Sequence, residues 1–125
     1  MTDVVDSRLE LAKALRELAD GSTEAALRNA LSRSYYSIFH AANVLFGKVS
    51  HGDIAKKLGS VDPELEAQVD KLQRLRSQAD YDPSFVEREF RGDLDQFRLD
   101  VRRQVDEGLS VFNRIVREIE RGAKD

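Results

Sequence analysis

The second periodic segment, residues 23–46, constrains the fold more than any other part of the chain. Its apolar residues recur at helical spacing, and alanines and phenylalanines widen the apolar stripe around most of the helix. A helix with so wide an apolar surface must be covered on several sides. We therefore expect it to lie in the middle of a helical bundle.

The other apolar residues follow the same helical period, and no segment alternates as a strand would. Only two prolines and seven glycines interrupt the chain, which favours long elements. The sequence predicts an all-α protein, an antiparallel four- to five-helix bundle, as a single domain over residues 1–125. The predicted helices cover residues 4–19, 23–46, 63–81, 85–90 and 93–121, with one or two helical turns inside the break at 47–62.

Short polar residues mark the predicted helix starts, because their side chains accept hydrogen bonds from the free N–H groups of a first turn. They are Ser22 or Thr23, Ser50, Asp62 and Ser84. Gly108 falls on the apolar stripe of the last helix, where a glycine costs up to about 1 kcal/mol against alanine. We therefore expect another helix to approach closely at Gly108.

Composition excludes several classes of protein. The net charge is -3, which is not the balance of a protein that coats nucleic acid non-specifically, although a local basic patch remains allowed. The chain has no cysteine, so disulfides, thiolate metal sites and cysteine nucleophiles are excluded. No secretory signal and no run of about 20 apolar residues is visible. We expect a cytoplasmic protein that does not enter membranes.

A stripe of polar residues runs along the predicted second helix. Asn29, Arg33, Tyr36, His40 and Asn43 are spaced by four, three, four and three residues, roughly opposite the apolar stripe. The arginine offers a planar fork for phosphate, and the histidine can exchange a proton near neutral pH. The stripe either faces water, or pairs with a buried carboxylate, or lines a ligand site. The spacing leaves these alternatives open.

A second polar cluster closes the predicted third helix. Arg76 and Asp80 are four residues apart, as in an ordinary helical ion pair. A carboxylate at a helix C-terminus opposes the helix dipole, so Asp80 calls for a cationic partner, either Arg33 or Arg76. Tyr81 is placed to pack its ring on the bundle and to reach a polar group with its hydroxyl. His51 lies in the break, where a histidine is commonly solvated, and it remains a candidate ligand-binding residue.

Two aromatic residues beside the polar stripe have a structural interpretation, and motifs for metals and phosphate loops are absent from the sequence. Tyr35 and Phe39 are predicted to belong to the core or to an interface. The sequence contains no Glu-x-x-His or His-Glu-x-x-His metal spacing and no glycine-rich phosphate loop. We therefore expect no metal and no cofactor.

Three motifs occur together along the chain. They are RSYYSIFHAANVLF at 33–46, SHGDIAKKL at 50–58 and LRSQADYDP at 75–83. Jointly they resemble the HEPN family, in particular its small stand-alone bacterial and archaeal members. The resemblance implies an antiparallel bundle that is often a homodimer and is associated with RNA or nucleotides. Many such proteins are metal-independent ribonucleases of toxin–antitoxin and defence systems, and others pair with a small nucleotidyltransferase.

The chain departs from the nuclease members, in which an arginine near the end of the third helix is followed by a histidine. Here Tyr81 stands five residues after Arg76, and the one Arg-x6-His match is Arg33 with His40 on the second helix. Three functions are therefore expected as alternatives. The protein is an RNA- or nucleotide-associated module with or without an antitoxin or nucleotidyltransferase partner, a ribonuclease using Arg33 and His40, or a dimeric scaffold with a buried polar network.

Overall fold

The computed structural model describes residues 11–17 and 23–124, and this part of the chain is helical with no strand. Its six helices are α1 (residues 11–17), α2 (Glu24–Phe46), α3 (Ile54–Gly59), α4 (Pro63–Tyr81), α5 (Phe85–Phe90) and α6 (Leu94–Lys124). The prediction of an all-α protein is confirmed. Both ends of the predicted helix 4–19 and the candidate cap Ser22 lie outside the described residues.

Helix α2 lies between α4 and α6, as its wide apolar surface predicts. Its buried positions recur every three or four residues: Leu27, Ala30, Leu31, Ser34, Tyr35, Ile38, Ala41 and Ala42. Apolar side chains from all six helices join them in one continuous cluster. Burying one Leu, Ile or Phe side chain contributes about 1.5–3 kcal/mol, so this cluster is the main source of stability.

Helices α2 and α4 run antiparallel. Arg28, in the second turn of α2, donates to the carbonyl of Asp82 just beyond the end of α4. Two turns later on α2, the ring of Tyr35 lies against the guanidinium of Arg76, which precedes Asp82 on α4. Contacts that advance along α2 therefore move backwards along α4. This register brings the aromatic part of α2 beside the polar end of α4.

Gly108 marks the close approach that its place in the sequence predicts. A Cβ atom at this position would collide with Oγ of Ser34 on α2 and would touch Leu72 on α4. Ser34 is fully buried. The glycine therefore lets α6 come close to α2 in the core.

Two of the predicted helix starts are confirmed with their hydrogen bonds. Thr23 Oγ1 accepts from the backbone N–H of Ala26 at 3.1 Å. Asp62 Oδ1 accepts from the N–H of Glu64 at 3.1 Å, and Pro63 takes the first helical position, as predicted. These side chains satisfy backbone donors that have no partner within the helix.

The other two predicted starts differ from the prediction. The short helix after the break begins at Ile54, with Asp53 and not Ser50 before it. Ser50 instead bonds to the side chain of Asp53 at 3.1 Å. Ser84 precedes α5 as predicted, but its side chain makes no capping bond. Its backbone N–H donates to Asp82 Oδ1 at 3.0 Å.

Among the described residues, no helix combines the length and the apolar character needed to cross a bilayer. The longest, α6, carries charged residues on both sides of its uncharged segment 108–113.

Candidate functional site

The polar stripe of α2 points away from the core. Asn29, Arg33 and His40 are exposed, and Tyr36 and Asn43 are half-buried. We call the surface formed by Arg33, Tyr36 and His40 the outer face of α2. Within the described residues Arg33 has no hydrogen-bond or ion-pair partner. The alternative in which Arg33 pairs with the carboxylate of Asp80 is therefore not met.

The reason lies in the heptad pattern of α2. The buried positions of α2 form one stripe toward α4 and α6, and residues 33 and 40 lie on the opposite side of the helix, where both are exposed among the described residues. The seven-residue interval from Arg33 to His40 spans about 10.5 Å along the axis. Both side chains are free to meet a ligand lying along the helix.

Tyr36 joins the outer face to the rest of the site. Its ring centroid lies 6.4 Å from that of His40, 5.8 Å from that of His51 and 5.4 Å from the guanidinium carbon of Arg76. The structure thus brings both histidines of the chain and one arginine around a single half-buried tyrosine. These groups come from α2, from the α2–α3 loop and from α4.

Arg76 is the most deeply buried cation of this group, with 9% of its surface exposed. Its guanidinium carbon lies 4.8 Å from the ring centroid of Tyr35 and 5.4 Å from that of Tyr36. Nε has no hydrogen-bond partner. Arg76 is therefore held by two aromatic faces, an attraction that strengthens when the cation is desolvated.

Asp80 is bound by residues other than Arg33. Its Oδ2 lies 3.7 Å from Nη1 of Arg76 and accepts from the hydroxyl of Ser32 at 3.3 Å. The predicted need for a cationic partner at this helix end is met by Arg76, on the same helix. Asp80 offsets the charge of Arg76 and orients it beneath the two tyrosines.

His51 is ordered although it lies in a loop. Nδ1 is 2.7 Å from the hydroxyl oxygen of Tyr35, and the ring stacks on Phe39 with centroids 4.0 Å apart and planes 11° apart. Its backbone carbonyl accepts from Nε2 of Gln73 at 2.9 Å. The loop histidine is therefore fixed against α2 and α4.

Tyr35 lies against both His51 and Arg76. The side chain is fully buried, and burial raises the pKa of its phenol above the ordinary value, while the cation of Arg76 acts in the opposite direction. The neutral phenol is thus the form that the fold stabilises. A neutral phenol has a hydroxyl proton to donate.

The two remaining candidates from the sequence are Tyr81 and Asn43. Tyr81 is 75% exposed, so the prediction that its ring packs on the bundle is wrong. It is the last residue of α4. Asn43 joins α2 to the next loop, since its Oδ1 accepts from the N–H of Val49 at 2.7 Å.

Sequence reasoning missed the roles of Tyr35 and Phe39. They were expected in the core or an interface, and they do pack on the core, but each also holds His51. A signal was present, because Tyr35 precedes Tyr36 and Phe39 precedes His40 in the motif that carries the polar stripe. The sequence does not indicate the path of the α2–α3 loop, which places His51 against Tyr35 and Phe39.

No group of three or more potential metal ligands occurs in residues 11–17 and 23–124.

Comparisons with known proteins give no match to a protein-family model, to a curated protein or to a solved structure.

Proposed function

We propose that this protein is a HEPN-like helical module of a toxin–antitoxin or defence-type system and that it binds RNA or a nucleotide along the outer face of α2. The observation that carries the proposal is the arrangement of His40, His51 and Arg76 around the ring of Tyr36. A cation, two imidazoles and a half-exposed aromatic ring are the groups that recognise phosphates and bases.

Geometry favours binding over cleavage. His40 makes ring contacts with Tyr36 and Phe39, and no carboxylate or hydroxyl among the described residues orients its nitrogens. A general base is normally held by such a partner. Arg76 is already balanced by Asp80 at 3.7 Å. The site is therefore better suited to bind RNA or a nucleotide than to cleave it by general acid–base catalysis.

The ribonuclease alternative has one observation in its favour. Arg33 and His40 are both exposed and unpaired by hydrogen bonds on one helix face, so a ribose phosphate could reach both. If the protein cleaves RNA, His40→Ala abolishes cleavage in the presence of a chelator and leaves the helical circular-dichroism signal unchanged. Cleavage that survives this substitution removes His40 from the mechanism.

The same proposal includes assembly as a homodimer, with or without a nucleotidyltransferase or antitoxin partner. Its support is the family resemblance together with the exposed apolar side chain of Val44, one turn after His40 and 62% exposed. Sedimentation equilibrium of the wild type and of Val44→Glu tests it. A dimer that this substitution weakens is expected, and a wild-type monomer at all concentrations contradicts the assembly.

Titration of a fluorescent single-stranded oligouridylate tests the binding proposal. Arg33→Ala should weaken binding and reduce the slope of log K against log salt by about 0.7, the value for one lost phosphate contact. Arg103→Ala, which removes an exposed arginine from α6, is the matched control and should change neither. Equal losses in the two variants would indicate a non-specific charge effect and contradict the proposed face.

A further inference from the structure

The hydrogen bond between Tyr35 and His51 determines which nitrogen of His51 carries the proton. The Tyr35 hydroxyl is fully buried, and its hydrogen-bond partner among the described residues is Nδ1 of His51 at 2.7 Å. The other polar group against the Tyr35 ring is the guanidinium of Arg76, which can only donate. Nδ1 is therefore the available acceptor for the phenol proton.

The opposite arrangement leaves a buried donor without an acceptor. If Nδ1 carried a hydrogen and donated to Tyr35, the phenol proton would point into the core with no oxygen or nitrogen to receive it. Buried donors without partners are rare because they lose their bonds to water and gain none. Tyr35 thus donates to Nδ1, and the single proton of the neutral imidazole is on Nε2.

Three contacts keep this Nε2–H in place. The stacking on Phe39 fixes the plane of the ring, the Tyr35 bond fixes its rotation, and Gln73 fixes the loop backbone. His51 remains exposed as a residue, and Nε2 has no hydrogen-bond partner within the described residues. A donor held in this way is ready for an acceptor from outside the chain.

We infer that His51 is a fixed hydrogen-bond donor, through Nε2–H, to a phosphate oxygen of the ligand bound at Tyr36. This inference rests on the proposed function and gives His51 a role distinct from that of His40. The lone pair of Nδ1 is used by Tyr35, so neutral His51 has no free nitrogen to act as a base. Tyr35 is the positioning residue, since it acts on the ligand only through His51.

Phosphate is the acceptor that fits the surroundings. The polar groups nearest Tyr36 are His51, whose free nitrogen donates, and Arg76, which only donates. The acceptor nearest them, Asp80, is already bound by Arg76 and Ser32. A ligand group rich in acceptors therefore complements the His51 donor, and the exposed cation of Arg33 on the outer face favours one that carries negative charge.

Long-range ¹H–¹⁵N spectra of the histidine rings in the full chain test the tautomer without any ligand. At a mildly alkaline pH, His51 is expected in the Nε2–H form. Tyr35→Phe, which keeps the ring against Arg76 and removes the hydroxyl, should give a mixture of both forms, with His40 unchanged as the internal reference. A wild-type His51 in the Nδ1–H form overturns the inference.

Binding of the fluorescent oligouridylate tests the donor role. His51→Ala should weaken binding roughly tenfold, as for one hydrogen bond to a charged group. His51→Gln, whose amide N–H can take the place of Nε2–H, should retain most of the affinity. Full affinity of His51→Ala overturns the donor role and leaves the proposed function standing. No binding by the wild type overturns the proposed function and the donor role together.

Discussion

The two faces of α2 place polar side chains in opposite surroundings, one in solvent and one in a buried contact with α4. On the outer face Arg33 and His40 are exposed and have no hydrogen-bond partner among the described residues. On the face toward α4, Tyr35 is fully buried and lies against Arg76, which is itself 9% exposed. The regular polar stripe seen in the sequence is therefore the solvent-exposed side of α2. The network that supports it uses residues beside the stripe and residues from other elements.

Removal of Arg76 should have the largest effect on stability. Arg76→Ala takes away a buried cation between two aromatic rings and leaves Asp80, whose side chain is 27% exposed, without its partner. We expect a loss of about 2–4 kcal/mol in the free energy of unfolding, measured by urea denaturation. Arg33→Ala is the matched control on the outer face and should stay within about 0.5 kcal/mol of wild type. Equal losses would contradict the distinction between the two faces.

Arg28 extends the same comparison to the start of α2. Its guanidinium donates to the carbonyls of Ala79 at 2.9 Å, Asp82 at 2.8 Å and Pro83 at 3.2 Å, and so satisfies the open end of α4. Arg28→Ala should lower the free energy of unfolding by about 1.5–3 kcal/mol. Arg28→Lys should recover only part of this, because an ammonium group cannot reproduce the planar fork. Full recovery by lysine would show that charge alone is sufficient.

Gly108 tests how tightly the buried face of α2 is packed. Gly108→Ala forces a methyl group against Ser34 and should cost about 1–2 kcal/mol even after the gain in helix propensity. Ser34→Ala should restore most of this loss in the double variant, because it removes the colliding hydroxyl. Gly122→Ala, where nothing lies within 4 Å of the added carbon, is the control and should not destabilise. A neutral Gly108→Ala would contradict the close approach.

The smallest expected effect is on alkaline stability. Burial raises the pKa of Tyr35 above its ordinary value of 10.0, so the folded state favours the neutral phenol. That contribution is complete below the unfolded pKa, about 10, and is lost as the pH rises from there through the folded pKa. Tyr35→Phe should therefore lose less stability than wild type in this range, whereas Tyr81→Phe, at an exposed tyrosine, should follow wild type. Identical alkaline profiles for all three would contradict the assignment.

Much of the fold was accessible from the sequence, because helical periodicity, prolines and caps act locally. The bounds of α2 and α4, the cap at Asp62 and the close approach at Gly108 all follow from residue type and spacing. At Ser50 the prediction failed: the helix begins at Ile54, and the Ser50 hydroxyl donates to the side chain of Asp53 instead of capping a first turn.

The candidate site was predictable only in part. The outer face of α2 was visible as a stripe, and the ion pair of Arg76 with Asp80 was visible from its four-residue spacing. Of the alternatives for Arg33, the structure has the exposed one and not the pairing with Asp80. The spacing of a stripe does not tell which side of a helix is covered. The bond from Tyr35 to His51 joins residues 16 positions apart through a loop, and no local pattern encodes it.

A two-dimensional NMR titration of the ¹⁵N-labelled protein with single-stranded oligouridylate is the most direct test of binding along the outer face of α2. We expect the shifted amide and histidine ring signals to cluster at Arg33, Tyr36 and His40 on α2 and at His51 in the loop. No shift at high oligonucleotide concentration would contradict it. So would shifts confined to the depression on α3 that is lined by Asp53, Lys56, Lys57 and Ser60.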